Sequence, residues 1–225
     1  MKLKVFYHIV DLPGWRAIVD EQLKDLLTSG LLAAAELRLY CYYSQDSFKS
    51  MQNQYKDFDN LIWIFPLADP RDVEFPTLQA LHAAAHDEDF YALYLHLKGI
   101  TRLGTAAELP NRHWRWMMNY WTITRWQDCV AKLDEGHDAV GCQIHPTIRP
   151  QHFSGNFHWT SSAFIRKCNN LALPSSTGYQ AQIPHGGTYR YDPEFWLGWN
   201  GANMCSLYNN FVNHYEDEFP PHLYR

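Results

Sequence analysis

The sequence predicts an α/β protein with a Rossmann-like, mostly parallel sheet flanked by helices. Two observations predict this class. Apolar, strand-like runs alternate with helical periodicity through the first 100 residues, and such a succession builds parallel strands joined by crossover helices. A chain of 225 residues can bury one core, and no repeat or linker divides it, so residues 1–225 are expected to form a single domain.

The first strand is predicted at LKVFYHIV, residues 3–10, which is rich in β-branched and aromatic residues and ends at the turn sequence DLPG. A helix follows, because apolar residues recur at helical spacing from Trp15 to Leu27. Ser29 and Gly30 are suited to end this helix.

Three more strands complete the predicted parallel sheet. The second is ELRLYCYY, residues 36–43, which is followed by a polar helix over 47–57. The third is LIWIF, residues 61–65, and its uniformly apolar character predicts burial on both faces. Pro76 suits the first turn of a helix over PTLQALHAAAH. FYALYLHL, residues 90–97, is the fourth strand and is predicted to be central.

The second half of the chain is less regular. After a loop at 98–111, we predict a long helix over 112–134 and a short strand in DAVGCQI, residues 138–144. Another helix is predicted over about 160–171, with Thr160 or Ser161 as its N-cap. The run SLYNNFVNHY, residues 206–215, fits a strand or a helix equally well.

Composition excludes several classes of protein. The net charge of −5 and the lack of a Lys/Arg block argue against nucleic-acid binding. Five scattered cysteines without a C-x-x-C pair predict reduced, mostly buried thiols. No apolar stretch is long enough to span a membrane and the N-terminus does not resemble a signal peptide, so we expect a cytoplasmic protein. The 16% aromatic content suits a site for a ring-shaped ligand.

Candidate ligand-binding residues follow the predicted strands. In an open parallel sheet, ligands bind beyond the carboxyl ends of the strands. The first strand brings His8 and Asp11 to this edge, and the fourth brings His96 and Lys98. A lysine next to Gly99 is suited to a phosphate, although it would also suit a solvated surface, and strand alternation could place His96 beneath a neighbour.

Several stretches, taken in order, resemble a group of small glycosyltransferase-like proteins of bacteria and large viruses that act in surface polysaccharide synthesis. They are FYHIVDLPGW, LLTSGLL, YLHLKGIT, HWRWMMNYW, HFSGNFHW and EFWLG. The resemblance implies a GT-A-type glycosyltransferase fold, with a nucleotide-sugar half at about 1–100 and an acceptor half at about 101–225. It also implies a hexosyltransferase-type activity, with a nucleotide-sugar donor and a saccharide or glycolipid acceptor.

The metal motif of GT-A enzymes is displaced in this sequence. Many such enzymes hold Mn2+ or Mg2+ with an Asp-x-Asp motif at the carboxyl end of a central strand. Here Asp87-Glu88-Asp89 precedes the fourth strand, where a solvated turn is the ordinary explanation, and His96 and Lys98 stand at its carboxyl end. We therefore expect donor binding to survive metal chelation; the alternative is that Asp11 and the diphosphate together recruit Mn2+ or Mg2+.

The resemblance also implies roles in the second half. Glu194, in an aromatic segment, is our candidate general base for an inverting transfer, with Asp192 as the alternative; a first-turn helix glutamate is the plainer explanation. In HFSGNFHW, Gly155 would let the backbone approach a donor sugar, Asn156 would bind its hydroxyls and His152 would donate to the diphosphate.

Trp159 is assigned to acceptor binding, as an apolar face for a sugar. We expect ordinary core packing for two of the three rings Phe153, Phe157 and Trp159.

Two other classes of function stay open. A metal hydrolase could use histidines of the second half, but they lack a ligand spacing such as H-E-x-x-H. The histidines in question are His145, His152, His158 and His185. A non-catalytic carbohydrate-binding module would also explain the aromatic residues, although such modules are usually all-β.

Overall fold

The computed structural model describes residues 1–42, 45–66, 69–145, 147–176 and 189–225. The strands in these residues are β1 (Lys2–Val10), β2 (Ala35–Tyr42), β3 (Leu61–Ile64), β4 (Phe90–His96), β5 (Ala139–Gly141), β6 (His158–Ser161) and β7 (Met204–Ser206). They form one sheet in the order β3-β2-β1-β4-β6-β5-β7. β6 runs antiparallel to β4 and β5, and the other neighbours are parallel.

Helices cover both faces of this sheet. Those in the described residues are α1 (Trp15–Thr28), α2 (Leu31–Ala34), α3 (Lys49–Gln54), α4 (Phe75–Asp87), α5 (Glu108–Asn119), α6 (Trp126–Asp134), α7 (Ser162–Ile165) and α8 (Asp192–Trp199). The predicted α/β class, with a mostly parallel sheet flanked by helices, is confirmed. This architecture differs from the all-β architecture usual in carbohydrate-binding modules.

The core consists of two apolar clusters, one on each face of the sheet. Alternate residues of β1 divide between them: Val5, Tyr7 and Ile9 belong to the first cluster, and Phe6 belongs to the second. The first contains the apolar faces of α1 and α5, and the second contains those of α4 and α8. A strand buried on both faces requires apolar residues at consecutive positions, and β1 and β4, which are buried along most of their length, contain such runs.

Three predictions about individual elements are wrong. The helix expected over 112–134 begins at Glu108 and is interrupted by a π-helical turn, Tyr120–Thr124, before α6. β3 is an edge strand whose Ile62 is 39% exposed, so its apolar residues are not buried on both faces. The helix expected over 160–171 is instead β6 followed by the single turn α7, although Ser161 does cap α7 by accepting from the Phe164 amide.

The cysteines match their prediction. All five are free thiols, and Cys205 is the least buried of them. None of the helices in the described ranges combines the length and the apolar character needed to cross a membrane. Most of the run 206–215 lies outside helices and strands, which explains why its periodicity favoured neither.

Candidate active site

Lys98 lies at the carboxyl edge of the sheet, directly after β4. Its side chain is half-buried and the ammonium Nζ lies 3.6 Å from the centroid of the Trp114 ring, with the Tyr215 ring at 5.6 Å. An ammonium over an aromatic face is stabilised by the ring quadrupole. Among the described residues, no carboxylate oxygen comes within 4.0 Å of this Nζ. A half-buried cation without a paired carboxylate is suited to bind an anion.

The main chain of Lys98 is fixed by a buried arginine. Arg115 of α5 is 4% exposed and donates from Nη1 to the Lys98 carbonyl at 2.8 Å. The same guanidinium donates to both carboxylate oxygens of Glu21 on α1, at 2.8 and 3.1 Å. Gly99, at φ +84°, allows the turn that follows. Lys98 is therefore held between β4, α1 and α5.

Glu194 lies in the first turn of α8, and Pro193 immediately before it suits a helix start. Its carboxyl group is half-buried. In the part of the chain that the structure describes, no donor hydrogen-bonds to this carboxyl group and no cation pairs with it within 4.0 Å. Burial raises the pKa of Glu194 to about 7; the positive charge of Lys98 opposes this rise, and the negative charge of Glu74 adds to it.

Lys98 and Glu194 influence each other across the site without forming an ion pair. Burial lowers the pKa of Lys98, and the negative charges of Glu194 and Glu74 partly offset the decrease. A carboxyl group with a pKa near 7 can accept a proton at neutral pH, which is the property required of a general base. The edge of the sheet thus holds a cation and a candidate base close together.

Glu74, just before α4, is a third charged residue of the site. Its Oε2 accepts hydrogen bonds from the Tyr94 hydroxyl at 2.8 Å and from Asn156 Nδ2 at 2.9 Å. Burial alone would raise its pKa, but two nearby imidazoles and these two hydrogen bonds outweigh burial and lower it. Glu74 is therefore an anion that is already satisfied by protein donors, which suits a positioning role.

His96 is held between the turn at Gly155 and Glu74. Its Nε2 donates to the Gly155 carbonyl at 3.0 Å, and its Nδ1 lies 3.9 Å from Glu74 Oε1. One ring nitrogen is thus engaged and the other faces a carboxylate, which disfavours an anion there. This geometry is incompatible with the predicted contact between His96 and a diphosphate, and it makes His96 a positioning residue.

The turn 154–156 packs closely against α5. Gly155 has φ +92°, and a Cβ at this position would lie 2.5 Å from Met118 Sδ. Asn156 has φ +58°, in the left-handed region that Asn tolerates. It is 2% exposed, and its Nδ2 donates to Glu74 Oε2. Gly155 and Asn156 thus support His96 and Glu74 through hydrogen bonds, and their contacts with a donor sugar stay a prediction.

Gly155→Ala should destabilise the protein by about 2–4 kcal/mol, because the new methyl group is crowded by Met118 and the backbone is strained for an L-residue. Gly201→Ala is the matched control. Gly201 has φ +76°, but nothing lies within 4 Å of its Cβ position, so only the backbone strain of about 1 kcal/mol should apply. Urea unfolding measures both variants. Equal losses would show that Gly155 is not required for close packing.

Two other predicted donor-binding residues are buried. His8 is 5% exposed, and its Nδ1 forms a hydrogen bond with Thr77 Oγ1 at 3.0 Å. His152 is 4% exposed and packs with its ring centroid 4.2 Å from that of Phe195. Burial lowers the pKa of each imidazole to about 4, so both are neutral at pH 7. Buried, neutral rings are incompatible with the predicted contacts to a diphosphate.

Trp159 and Asp192, which were predicted to contact an acceptor, are also buried. Trp159 is 0% exposed, and its indole Nε1 donates to the Thr122 carbonyl at 2.7 Å. Its ring faces lie in the core with Phe157, which is incompatible with acceptor binding. Asp192 is 1% exposed, so it cannot reach an acceptor hydroxyl. Asp11 remains half-buried at the edge, where its carboxylate accepts from Ser47 Oγ at 2.8 Å.

The acidic sequence Asp87-Glu88-Asp89 lies at the amino edge of the sheet, at the opposite end of β4 from Lys98. Asp87 ends α4, Glu88 pairs with Lys2 and Lys4, and Asp89 pairs with Arg166, all at the amino edge of the sheet. Divalent cations in diphosphate sites prefer carboxylate oxygens, and the carboxylate that adjoins His96, Glu74, is occupied by protein donors.

The described histidines that were considered for a metal hydrolase do not lie together in one site. His145 stacks on His152, with ring centroids 5.9 Å apart, whereas His158 lies beside Tyr94 in the core. His185 lies outside the described residues. Within the described ranges, no group of three or more His, Cys, Asp or Glu side chains is arranged to hold a metal ion.

Three residues that shape the site were missed by the sequence analysis: Glu74, Arg115 and Tyr215. Glu74 could have been found, because it directly precedes a predicted helix and so lies at the carboxyl edge of the sheet. Arg115 and Tyr215 come from α5 and from the irregular C-terminal segment. Their distance from Lys98 depends on packing between remote segments, and no local sequence signal reports it.

The fold and the site define an α/β protein with a half-buried lysine and a half-buried glutamate at the carboxyl edge of its sheet. No model of a protein family matches the sequence, and no curated protein matches it either. Two solved structures resemble the chain at low identity. One is a candidate nucleotide-diphospho-sugar transferase from Desulfovibrio desulfuricans G20, with 9% identity and a TM-score of 0.45, covering 94% of this chain and 83% of the other.

The second is TarS residues 1–349 from S. aureus, with 11% identity and a TM-score of 0.47. The match covers 93% of this chain but spans only 60% of the TarS chain.

Proposed function

We propose that this protein is an inverting glycosyltransferase that moves a sugar from a nucleotide-sugar donor to a saccharide acceptor. The observation that carries the proposal is the pair formed by Lys98 and Glu194. Each is half-buried at the carboxyl edge of the sheet, each affects the other's pKa, and neither is neutralised by a protein partner within 4.0 Å among the described residues.

Lys98 is assigned to the donor diphosphate. The departing nucleoside diphosphate carries the negative charge that develops as the sugar leaves, and a fixed cation stabilises that charge. The Trp114 ring places the ammonium without neutralising it, since a ring face supplies no counter-charge. Arg115 keeps the strand end in place beneath the ammonium. The Lys98 ammonium is therefore already in position before a diphosphate binds.

Glu194 is assigned the role of general base. Its carboxylate removes the proton from the acceptor hydroxyl while the acceptor oxygen bonds to the anomeric carbon and the bond from that carbon to the diphosphate breaks. One base and one cation are enough for such a single in-line displacement, which inverts the anomeric centre. The donor would bind mainly to residues 1–100 and the acceptor mainly to residues 101–225.

The biological setting is proposed from the sequence resemblance alone. It favours a hexosyltransferase of surface polysaccharide synthesis that acts in the cytoplasm on a saccharide or glycolipid. Donor binding through Lys98 is proposed to need no metal, because the Lys98 ammonium supplies positive charge for the diphosphate.

Lys98→Ala should weaken binding of a nucleoside diphosphate by about 1–3 kcal/mol, or roughly 5- to 150-fold, because a charge-assisted hydrogen bond to the anion is lost. Calorimetric titration of UDP, GDP, CDP, ADP and dTDP, with and without EDTA, identifies the nucleotide and measures the change. Lys132→Ala is the control, since Lys132 pairs with Glu135 on an exposed part of α6.

The melting temperature of Lys98→Ala, without nucleotide, separates loss of binding from loss of folding. Unchanged affinity in a folded Lys98→Ala variant would contradict the proposal, as would binding of all these nucleotides only after metal is added.

A further inference from the structure

A second cavity opens beside the site, between residues 143–145 of the segment that follows β5 and the irregular segment 209–215. Its volume is about 350 Å³, within the roughly 300–1,000 Å³ of small-molecule sites. Trp114 and Tyr215 line it, and both rings also contact the Lys98 ammonium. The cavity therefore shares two of its wall residues with the surroundings of Lys98.

The rim of this cavity carries exposed aromatic rings. Phe211 is 96% exposed and Tyr215 is 47% exposed, while Trp114 behind them is 2% exposed. A phenylalanine with almost its whole surface in water adds nothing to the core of this protein. Placed at the mouth of a cavity, its ring is available to cover the apolar face of a ligand.

The wall between these rings is polar and held in a fixed conformation. Gln143, at φ +60°, donates from Nε2 to Asn210 Oδ1 at 3.0 Å and to His214 Nε2 at 3.1 Å. Its Oε1 accepts a hydrogen bond from the backbone N–H of Asn210 at 2.6 Å. These bonds connect the segment after β5 to the C-terminal segment, so the wall is set before any ligand arrives.

The described residues that line the cavity include no Asp, Glu, Lys or Arg. They supply amides, imidazoles, two hydroxyl groups and aromatic faces. An uncharged, polar, ring-shaped ligand matches such a lining, because its hydroxyls can bond to amides while its apolar ring faces stack on aromatic side chains.

We propose that this cavity is a saccharide-binding cleft, in which Phe211 is the stacking platform and Asn213 a polar contact. Its identification as the acceptor site rests on the proposed function; its ability to bind a saccharide does not. The cleft would place a saccharide next to Tyr215, beside Lys98, and so would take the role that Trp159 cannot fill.

The test uses the complete chain on an array of neutral and acidic oligosaccharides, followed by calorimetric titration with the oligosaccharide bound best. Phe211→Ala should weaken that binding by roughly tenfold or more, because the stacking surface is removed. Phe211→Tyr retains the ring and should bind within about twofold of the original chain. Leu27→Ala is the control: Leu27 is 49% exposed near the end of α1, at the opposite edge of the sheet.

The affinity for a nucleoside diphosphate, measured in the same variants, should not change. The cleft proposal would be overturned if no oligosaccharide on the array bound. It would also be overturned if Phe211→Ala bound the oligosaccharide as tightly as the original chain. Loss of nucleoside diphosphate binding in Phe211→Ala would also overturn it, since the ring would then stack on the base. If oligosaccharide binding depends on Phe211 but no nucleotide-sugar binds, the cleft stands and the transferase proposal fails.

Discussion

Replacing Glu194 with Gln should lower sugar transfer by roughly 10²–10⁴-fold, the range expected when a general base is lost. The amide keeps the shape of the side chain but cannot accept a proton at neutral pH. Donor affinity should barely change, because the donor diphosphate is assigned to Lys98. Turnover and calorimetric donor affinity, measured on the same preparation, separate these two effects.

The pH dependence of transfer gives a second test of Glu194. The base must be ionised to act, so kcat/KM should rise with pH through about 7, the pKa of Glu194. Because the charge of Lys98 lowers that pKa, the residual activity of Lys98→Ala should have its midpoint at a higher pH.

The exposed Glu216→Gln variant is the control, and it should keep normal turnover and an unchanged midpoint. Near-normal turnover in a folded Glu194→Gln variant would remove Glu194 from the role of base. A product with retained anomeric configuration would contradict the inverting mechanism.

Acidification from pH 7.5 to 5 should destabilise the protein mainly through its buried histidines. The buried histidines His8, His152 and His214 have their pKa values lowered to about 4, and His158 to about 3, in each case mainly by burial. The unfolded chain binds a proton at each histidine near pH 6.5, whereas the folded chain does not. Stability is therefore complete above pH 6.5 and decreases below it.

The size of this effect follows from linkage. Each such histidine should contribute a loss of about 2 kcal/mol between pH 6.5 and 5. Glu194 acts in the opposite direction, because its raised pKa makes the folded chain bind a proton at a higher pH than the unfolded chain does. The resulting gain in stability offsets the loss from about one histidine. The net loss of several kcal/mol is large beside a typical stability of about 5–15 kcal/mol.

Urea unfolding at pH 7.5, 6.5, 5.5 and 5 measures this loss. His158→Leu should reduce the slope, since neither nitrogen of this buried ring has a hydrogen-bond partner among the described residues. His222→Gln, at an exposed histidine, is the control and should leave the slope as it is. A free energy of unfolding that stays constant from pH 7.5 to 5 would contradict the assignment of these histidines as buried and neutral.

The first half of the fold could be predicted because its signals are local. β1, α1, β2 and β4 lie close to their predicted positions, since strands buried on both faces need continuous apolar runs and a surface helix needs an apolar stripe. β3 has the same apolar run, but an edge position depends on the order of strands, and the run itself does not specify that order. β6 was missed because four residues are too few to establish a period.

The site was predictable only where it follows directly from strand ends. Lys98 was placed correctly at the carboxyl edge because it comes directly after a central strand. His8 was predicted to lie at this edge as well. However, β1 extends beyond His8, and α4 covers its ring. Asn156 and Gly155 were correctly singled out as unusual, because both have positive φ angles, and their hydrogen bonds go to Glu74 and His96.

The most direct test of the proposed transferase is release of a nucleoside diphosphate by the complete chain supplied with both a nucleotide-sugar and an oligosaccharide. Panels of each substrate, run with and without EDTA, would be followed by coupled detection of the nucleotide and NMR of the product. We expect release that requires both substrates, persists in EDTA, falls sharply in Glu194→Gln and gives a glycoside of inverted configuration. A chain that neither binds nor consumes any nucleotide-sugar, whether or not an oligosaccharide is present, would contradict the account.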